Sequence, residues 1–579
     1  MRSSIRRHLP GLALAALVAF AAACSSSNDS GSAPASESGD HGGSGGYGNT
    51  SGSGGNGTHA DGGLSAGASG ASGMGGGTSQ GGASAGGAGG GSGAGGGSGA
   101  SGAAGAGGMY ADAGAADSWT PPEFDAQPPV VDAAPEAEAD ADICAQLDSS
   151  KPQVIYQSAD DSNSMASPVI ARNLIHLYQK VPAAILRTYE FLNYYNIAYD
   201  FAPQGHVRVV PQMRPGKTDG EYLLQVGIQS EQAPSPRRTM NLTFVLDNTG
   251  SMSGTPLALE KAAVTAIAGS MKPGDLVSMV AWNTNQWVLL DNYTVTGPND
   301  PQVISAISQL SANGSTDLHA GLVKGYELAK KSYDKELMNR VILISDGMAN
   351  VGVVDADMIA AESHNADGEG IYLVGVGVGN GINDTLLNTV TDKGRGAYVY
   401  LDNTQEAQKM FGARFDEVME VAVRDIRLEL TVPWYFTLKS TSAEQSSTDP
   451  TKVDPQYLSP SDAIVLHNTF LPCSSSQWNP ADTIQAKATY KRPITQVPGE
   501  DSVSFTINDL LSADATQLKK GTAIVAYAEA LKKVEGLSST AAKQVIDDAL
   551  AAVVAADPNQ TDPELKEIQQ LLTTYRTMF

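Results

Sequence analysis

The chain is short of basic residues. Lys and Arg number 37 against 62 Asp and Glu, a formal net charge of −25. A nucleic-acid partner needs a basic face, so this balance excludes that class and suits an exported, soluble protein. Histidines are few, eight in 579 residues, and are scattered with no His-Glu-x-x-His, which argues against a zinc hydrolase. Cysteines number three. Apart from one run near the start, Leu9 to Ala23, no apolar stretch is a candidate for crossing a membrane.

That run follows Arg2, Arg6 and Arg7 and stops at Cys24. A positive head, a short apolar middle and a small-residue exit describe a secretory signal over 1–24, too short to persist as a spanning helix. The stretch AFAAACSSS resembles a bacterial lipobox, which implies a lipid on Cys24 holding the chain to a membrane; Ala21 stands where leucine is commonest. Ser25 after the cysteine, rather than Asp, favours the outer membrane by the enterobacterial sorting rule. The alternative is a secreted chain without lipid. From 25 to 118 the chain is almost all Gly, Ser and Ala. Such composition buries too little apolar surface to offset chain entropy, so a long disordered tether is expected. Its reach is roughly 50 Å or more, at about 5–6 Å times the square root of residue number. Residues 119–160, acidic and rich in Pro and Ala, read as further linker. With Cys24 lipidated, Cys144 and Cys473 remain as an even pair: a disulfide tying the start of the folded region to a late strand, or two free thiols.

Globular composition is expected from Asp161. In 161–239, PAAILRTYEFLNYY sets Ile185, Leu186, Tyr189 and Leu192 at helical spacing. HVRVVPQM and YLLQVGIQS, split by the turn-rich RPGKTDGE, read as a hairpin. From 240 to 423 strands alternate with helices. NLTFVLD is a strand, and TPLALEKAAVTAIAGSM is a helix with Thr255 as N-cap and Pro256 at its first position. RVILISD reads as a strand buried on both faces and IYLVGVGVG as another strand. A helix is expected near DADMIAAES, and a long one from Thr404 to Val423. This alternation predicts an α/β fold, a doubly wound, mostly parallel, Rossmann-like sheet with helices on both faces. Residues 424–507 revert to alternating apolar and polar strands. A lone hairpin is not stable, so the early one is expected to join them, leaving the α/β unit inserted in a β-sandwich-like domain. Residues 508–579 read as a helical C-terminal region.

VLDNTGSMSG, residues 245–254, sets Asp247, Thr249 and Ser251 one residue apart where a strand ends. In open α/β sheets ligands bind at the carboxyl ends of strands. Asp346 closes RVILISD on another strand, and NGSTDLHAGL puts Thr316 at a helix start with Asp317 beside it. Asp247, Thr249, Ser251, Thr316 and Asp346 are all oxygen donors, a set suited to a hard cation such as Mg2+, or Mn2+ or Ca2+ in its place. Magnesium keeps waters and an open position that an acidic side chain from a protein partner can take. Hydroxyl ligands would leave the ion electron-poor and strengthen that bond. For the triplet alone, the opposite reading is that Thr249 and Ser251 satisfy turn and helix-start amides. Other motifs fail on spacing. GVGVGNG lacks G-x-G-x-x-G, a D-x-D phosphatase would need an aspartate where Thr249 stands, and GSMSG has Met252 where a nucleophile elbow has serine.

D-x-[ST]-x-S, then a separate threonine, then SDG after an apolar strand, resembles the metal-ion-dependent adhesion site of von Willebrand factor type A (VWA) domains, over roughly residues 240 to 420. LRTYEFLNYYNIAYDF, NRVILISDGMANVG and KGTAIVAYAEALKK are similar to bacterial YfbK-type VWA lipoproteins. The resemblance implies that Ser251 and Thr249 touch the metal directly, Thr316 directly or through water, and Asp247 and Asp346 largely through water. Asp317 would be a further outer carboxylate. It also implies a lipid-anchored cell-envelope protein that binds a protein partner through a divalent metal, and not an enzyme. Two readings stand beside it: a structural subunit of an envelope complex that binds without the metal and, with less support, a metal-dependent hydrolase.

Overall fold

The computed structural model describes residues 144–159, 164–349, 370–473 and 477–579. Cys24 with its signal segment, the Gly/Ser/Ala stretch, most of the acidic segment and the helix expected near 355–363 lie outside them. The chain begins with β1 (Gln153–Ser158), α1 (Ala166–His176), α2 (Thr188–Tyr194) and the hairpin β2 (Arg208–Pro215) and β3 (Tyr222–Gln229). An alternating unit follows: β4 (Met240–Asp247), α3 (Thr255–Ser270), β5 (Leu276–Trp282), β6 (Gln286–Thr294), α4 (Pro301–Ser308) and α5 (Leu318–Lys331). It continues through β7 (Met338–Ser345), β8 (Ile371–Val378), α6 (Asp384–Lys393) and β9 (Tyr398–Leu401). Then come β10 (Val423–Val432), β11 (Phe436–Thr441), β12 (Gln445–Ser447), β13 (Gln456–Leu458), β14 (Ala463–Pro472), β15 (Thr483–Lys491) and β16 (Pro498–Thr506). Four helices end the chain: α7 (Ile507–Ser512), α8 (Thr516–Lys533), α9 (Ser539–Ala556) and α10 (Pro563–Arg576).

The alternating unit forms one sheet in the order β6-β5-β4-β7-β8-β9. Every pairing is parallel except β5 with β6 at the edge. β4, β7 and β8 are buried along their whole length, as unbroken apolar parallel strands covered on both faces are. Two antiparallel sheets make the other domain. One runs β12-β1-β10-β15-β16 with β13 added to β10, and the other runs β11-β14-β3-β2. Their facing side chains, among them Ile155, Leu430 and Ala486 from one and Met213, Leu224 and Leu466 from the other, share one core. The early hairpin is stabilised by β14, paired with β3 from Tyr222↔Phe470 to Gln229↔Ala463. The chain thus leaves the sandwich after β3 and re-enters at β10, so the α/β unit is an insertion.

Four expectations are corrected. Gln153–Ser158, read as linker, is β1, held between β10 and β12 by pairings that only the fold supplies. The N-cap of α3 is Gly254, at φ +84, and not Thr255, which already lies inside the helix. Helix α2 starts at Thr188, with Ile185 and Leu186 ahead of it in a 3-10 turn and its extended exit. The helix expected from Thr404 to Val423 is broken: α-helical over Thr404–Gln408, π-helical over Lys409–Ala413, and α-helical again over Phe415–Met419. The wide turn keeps Met410 and Phe411 buried. At its exit Arg414 donates to the Tyr194 and Asn193 carbonyls, at 3.0 and 3.1 Å. Val423 already opens β10.

Helix α8 packs on α9 and α2, with Phe191 edge-on to Tyr527 at 5.3 Å between ring centres. Arg172 of α1 pairs with Asp402 at 2.8 Å, Glu406 at 2.7 Å and Glu567 of α10 at 3.3 Å, so one ion network joins three distant segments. Cys144 and Cys473 are bonded, at a sequence separation of 329. Among the described residues no helix is long and apolar enough to cross a membrane.

Candidate metal centre

β4 and β7 are neighbours in parallel register, Leu246 beside Ile344, so Asp247 and the pair Ser345–Asp346 emerge side by side at the carboxyl end of the sheet. The Thr249 amide donates to Asp247 Oδ1 at 2.9 Å. Ser345 Oγ donates to Asp247 Oδ2 at 2.6 Å and itself accepts from the Gly347 amide at 2.9 Å. Both oxygens of Asp247 are thereby oriented. Asp346 Oδ1 accepts from the Met348 amide at 3.0 Å. The Ser251 hydroxyl lies 3.0 Å from Thr249 Oγ1 and reaches Asp346 as well.

Thr316 arrives from a separate loop by backbone stitching. The Ser311 amide donates to Asn248 Oδ1 at 2.7 Å, the Asn313 amide to the Asn248 carbonyl at 2.9 Å, and the Gly250 amide to the Gly314 carbonyl at 3.1 Å. From the other side Asn283 Nδ2 donates to the Asn313 carbonyl at 3.0 Å. Gly314 sits at φ +80, and a Cβ there would lie 3.1 Å from the Asn283 side chain, so the turn needs glycine. Thr316 is buried at the same end of the sheet. Asp317, beside it, caps α5 by accepting from the Ala320 amide through Oδ1 at 3.1 Å.

Asp247 and Thr249 are fully buried, Asp346 nearly so, and Ser251 is exposed. Burial pushes the Asp247 carboxyl up to about 7, with the neighbouring Asp346 charge adding to it. Asp346 is raised chiefly by its own burial. Glu260 on α3, also fully buried, is held well above the carboxylate range by burial and then by Asp247. Three acidic groups therefore crowd one end of the sheet.

These residues fit a small hard cation. The donors are all oxygen, and the 3.0 Å between the Thr249 and Ser251 hydroxyls equals the separation of adjacent corners of an octahedron with bonds of about 2.1 Å. A divalent charge would also favour the ionised form of both buried aspartates. Among the described residues there is no cluster of three or more His, Cys, Asp or Glu placed to hold a metal. Three positions around the site escaped the sequence reading: Ser345, Asn248 and Glu260. Glu260 left a signal, since it shares the apolar face of α3 with Ala263, Val264 and Ile267. Ser345 left none beyond its place before Asp346.

A mostly parallel sheet with a D-x-T-x-S loop, a separate threonine and a second aspartate at its carboxyl end defines a VWA-class domain. Residues 241–413 match the family model "von Willebrand factor type A domain", and the chain carries a VWA domain. Such domains commonly mediate protein–protein binding. The chain is similar to YfbK of Escherichia coli (strain K12), 27% identical over 265 residues, which are 43% of this chain and 45% of that protein. It is also similar to inter-alpha-trypsin inhibitor heavy chain H3 of Mus musculus, 24% identical over 195 residues, 33% of this chain and 22% of that one. A solved structure, von Willebrand factor type A from Catenulispora acidiphila, covers 64% of this chain and 92% of its own with a TM-score of 0.42 and 14% identity. The chain spans less than half the length of these two curated relatives.

Proposed function

We propose that the protein binds a protein partner at the cell envelope through a divalent cation held by Thr249, Ser251 and Thr316 directly or nearly so, with Asp247 and Asp346 behind them. Mg2+ is the favoured ion, with Mn2+ or Ca2+ as substitutes. The convergence of Asp247, Thr249, Ser251 and Asp346 at the ends of β4 and β7 carries the reading. When bound, the ion supplies an open coordination position to an acidic side chain. Ser251, exposed, stands at the mouth, while the buried aspartates set the charge beneath it. Ser345 and the Thr249 amide fix the orientation of Asp247. Binding is favoured over turnover because both carboxylates serve the ion, leaving neither as a general base.

The anchor belongs to the same proposal: a lipid on Cys24, at the outer membrane, with the Gly/Ser/Ala segment as tether. The Cys144–Cys473 bond supports export, since disulfides persist in oxidising compartments. Labelling with a radioactive fatty acid tests the anchor, and label kept in Cys24→Ala would sink it.

The metal-bridged reading is tested on the full chain. Calorimetric titration with Mg2+ and Mn2+ should show one saturable site that Asp247→Ala abolishes. Envelope proteins captured with Mg2+ should be lost with EDTA and with Asp247→Ala. A partner retained equally in every arm would favour the structural subunit that binds without the metal.

A further inference from the structure

In a chain of net charge −25, one cleft has the opposite sign. It lies where the α/β unit meets the sandwich, a cavity of about 770 Å³ lined by Arg395 from the turn after α6, Arg424, Asp425 and Arg427 of β10, Lys491 of β15 and Glu500 of β16. Four cations and two carboxylates line it, and Asp392 stands close enough to Arg395 to feel its charge. Asp425 alone is shared by three of the cations, Lys491 at 2.7 Å, Arg395 at 3.2 Å and Arg424 at 3.6 Å.

Neutral groups hold the guanidinium groups in position as well. Arg424 lies over the rings of Tyr372 and Tyr457, at 6.0 and 5.9 Å, and donates to the Tyr372 hydroxyl at 3.1 Å. Arg427 Nη1 donates to the carbonyls of Pro450 at 2.6 Å and Val453 at 3.0 Å. Carbonyls orient a guanidinium without neutralising it, so its charge stays available to the cleft.

The backbone is shaped to gather these groups. Arg424 and Arg427 are three apart, and in a regular strand they would face opposite sides of the sheet. The register of β10 against β15 shifts between them, a bulge that brings both to one cleft. Asp425 within that bulge and Arg395 across from it both have left-handed backbones, φ +53 and +44, which non-glycine residues seldom adopt.

We infer that this cleft binds a small organic phosphate, a phosphomonoester carried on a body about the size of a sugar. Guanidinium forks match the oxygens of phosphate two at a time, and four cations gathered on one cleft suit an anion. The volume exceeds a lone oxyanion and falls in the range of small-molecule sites. Pro455 and Pro498 supply an apolar wall for the rest of the ligand.

The test is calorimetric titration of the full chain with glucose 6-phosphate at physiological salt, in EDTA so that the metal centre cannot recruit phosphate. One saturable site is expected. Lys491→Gln should weaken it roughly tenfold, as loss of one charge-assisted bond does, and Glu500→Gln should tighten it. Arg427→Gln should weaken it further, its fold checked by circular dichroism because the residue also holds a loop. Asp247→Ala should leave it unchanged. Absence of saturable heat would overturn the inference, as would affinity indifferent to Lys491→Gln and Arg427→Gln. Succinate binding more tightly than the phosphate ester would overturn the phosphate assignment.

Discussion

Ser345 Oγ donates a 2.6 Å hydrogen bond to Asp247 Oδ2, joining the ends of two adjacent strands across 98 residues of sequence. The same hydroxyl accepts from the Gly347 amide, so it anchors both the aspartate and the turn carrying Asp346. Removing an orienting partner of a metal-site residue costs about 10–100-fold in metal affinity. Ser345→Ala should keep the thermal melting profile nearly intact while weakening Mn2+ binding by at least about tenfold. Unchanged affinity in calorimetry would mean that Asp247 does not need this bond.

Helix α5 lies unusually close to the sheet. A Cβ on Gly325 would come 2.2 Å from Val245 Cγ2 of β4, and one on Gly321 2.5 Å from Trp282 Cγ of β5. These glycines, one turn apart, let the helix seat with its start beside the candidate metal centre. Gly325→Ala overpacks this contact and should destabilise the fold by about 1–3 kcal/mol in urea unfolding. It should also weaken metal binding by displacing Thr316. A neutral result in both measurements would show that the helix shifts outward freely.

His467 of β14 is buried against α8. Thr522 Oγ1 donates to the Leu518 carbonyl at 2.8 Å and lies 3.1 Å from His467 Nε2, so the neutral ring donates to it. Burial lowers the ring to about 4 from its ordinary 6.5. With the folded value depressed, the unfolded chain takes up the proton first. The stability that the neutral ring contributes is therefore whole above pH 6.5 and lost as pH falls toward 4. Between pH 7 and 4.5 this loss should be about 2 kcal/mol. His467→Gln should lose that much less over the same range by urea midpoints, and parallel pH profiles would contradict the assignment.

The Cys144–Cys473 bond closes a loop with a separation of 329 residues. Cross-links of long loops mainly restrict the unfolded chain, and their removal costs about 2–5 kcal/mol. Cys473→Ser should melt at the temperature of the reduced parent and below that of the oxidised one. Identical melting of all three forms would mean that the reduced ends are held as firmly by β1 and β14.

Much of this was legible in the chain itself. Unbroken apolar runs at Leu242–Leu246 and Val341–Ile344, separated by helical spacing, announce a parallel sheet because burial on both faces leaves no alternation. The order Asp247, Thr249, Ser251, then Thr316, then Asp346 announces one site, because strand ends of such a sheet share an edge. The β-sandwich strands showed themselves by two-residue alternation, which is also local.

What local pattern does not carry is partnership. Gln153–Ser158 is a strand only because β10 and β12 flank it, and the π turn at Lys409–Ala413 exists where Arg414 meets the Asn193 and Tyr194 carbonyls. The choice between a bond and two thiols at Cys144 and Cys473 rested on distance, which sequence does not encode. The basic cleft is the clearest case, since a bulge reversed the facing of Arg427 relative to Arg424. Composition and periodicity announced most of the elements and the candidate donors, because helical spacing, strand alternation and the Asp247–Ser251 loop are each set within a few residues. Tertiary structure alone decided which buried groups meet, because that depends on non-local pairing between strands tens to hundreds of residues apart.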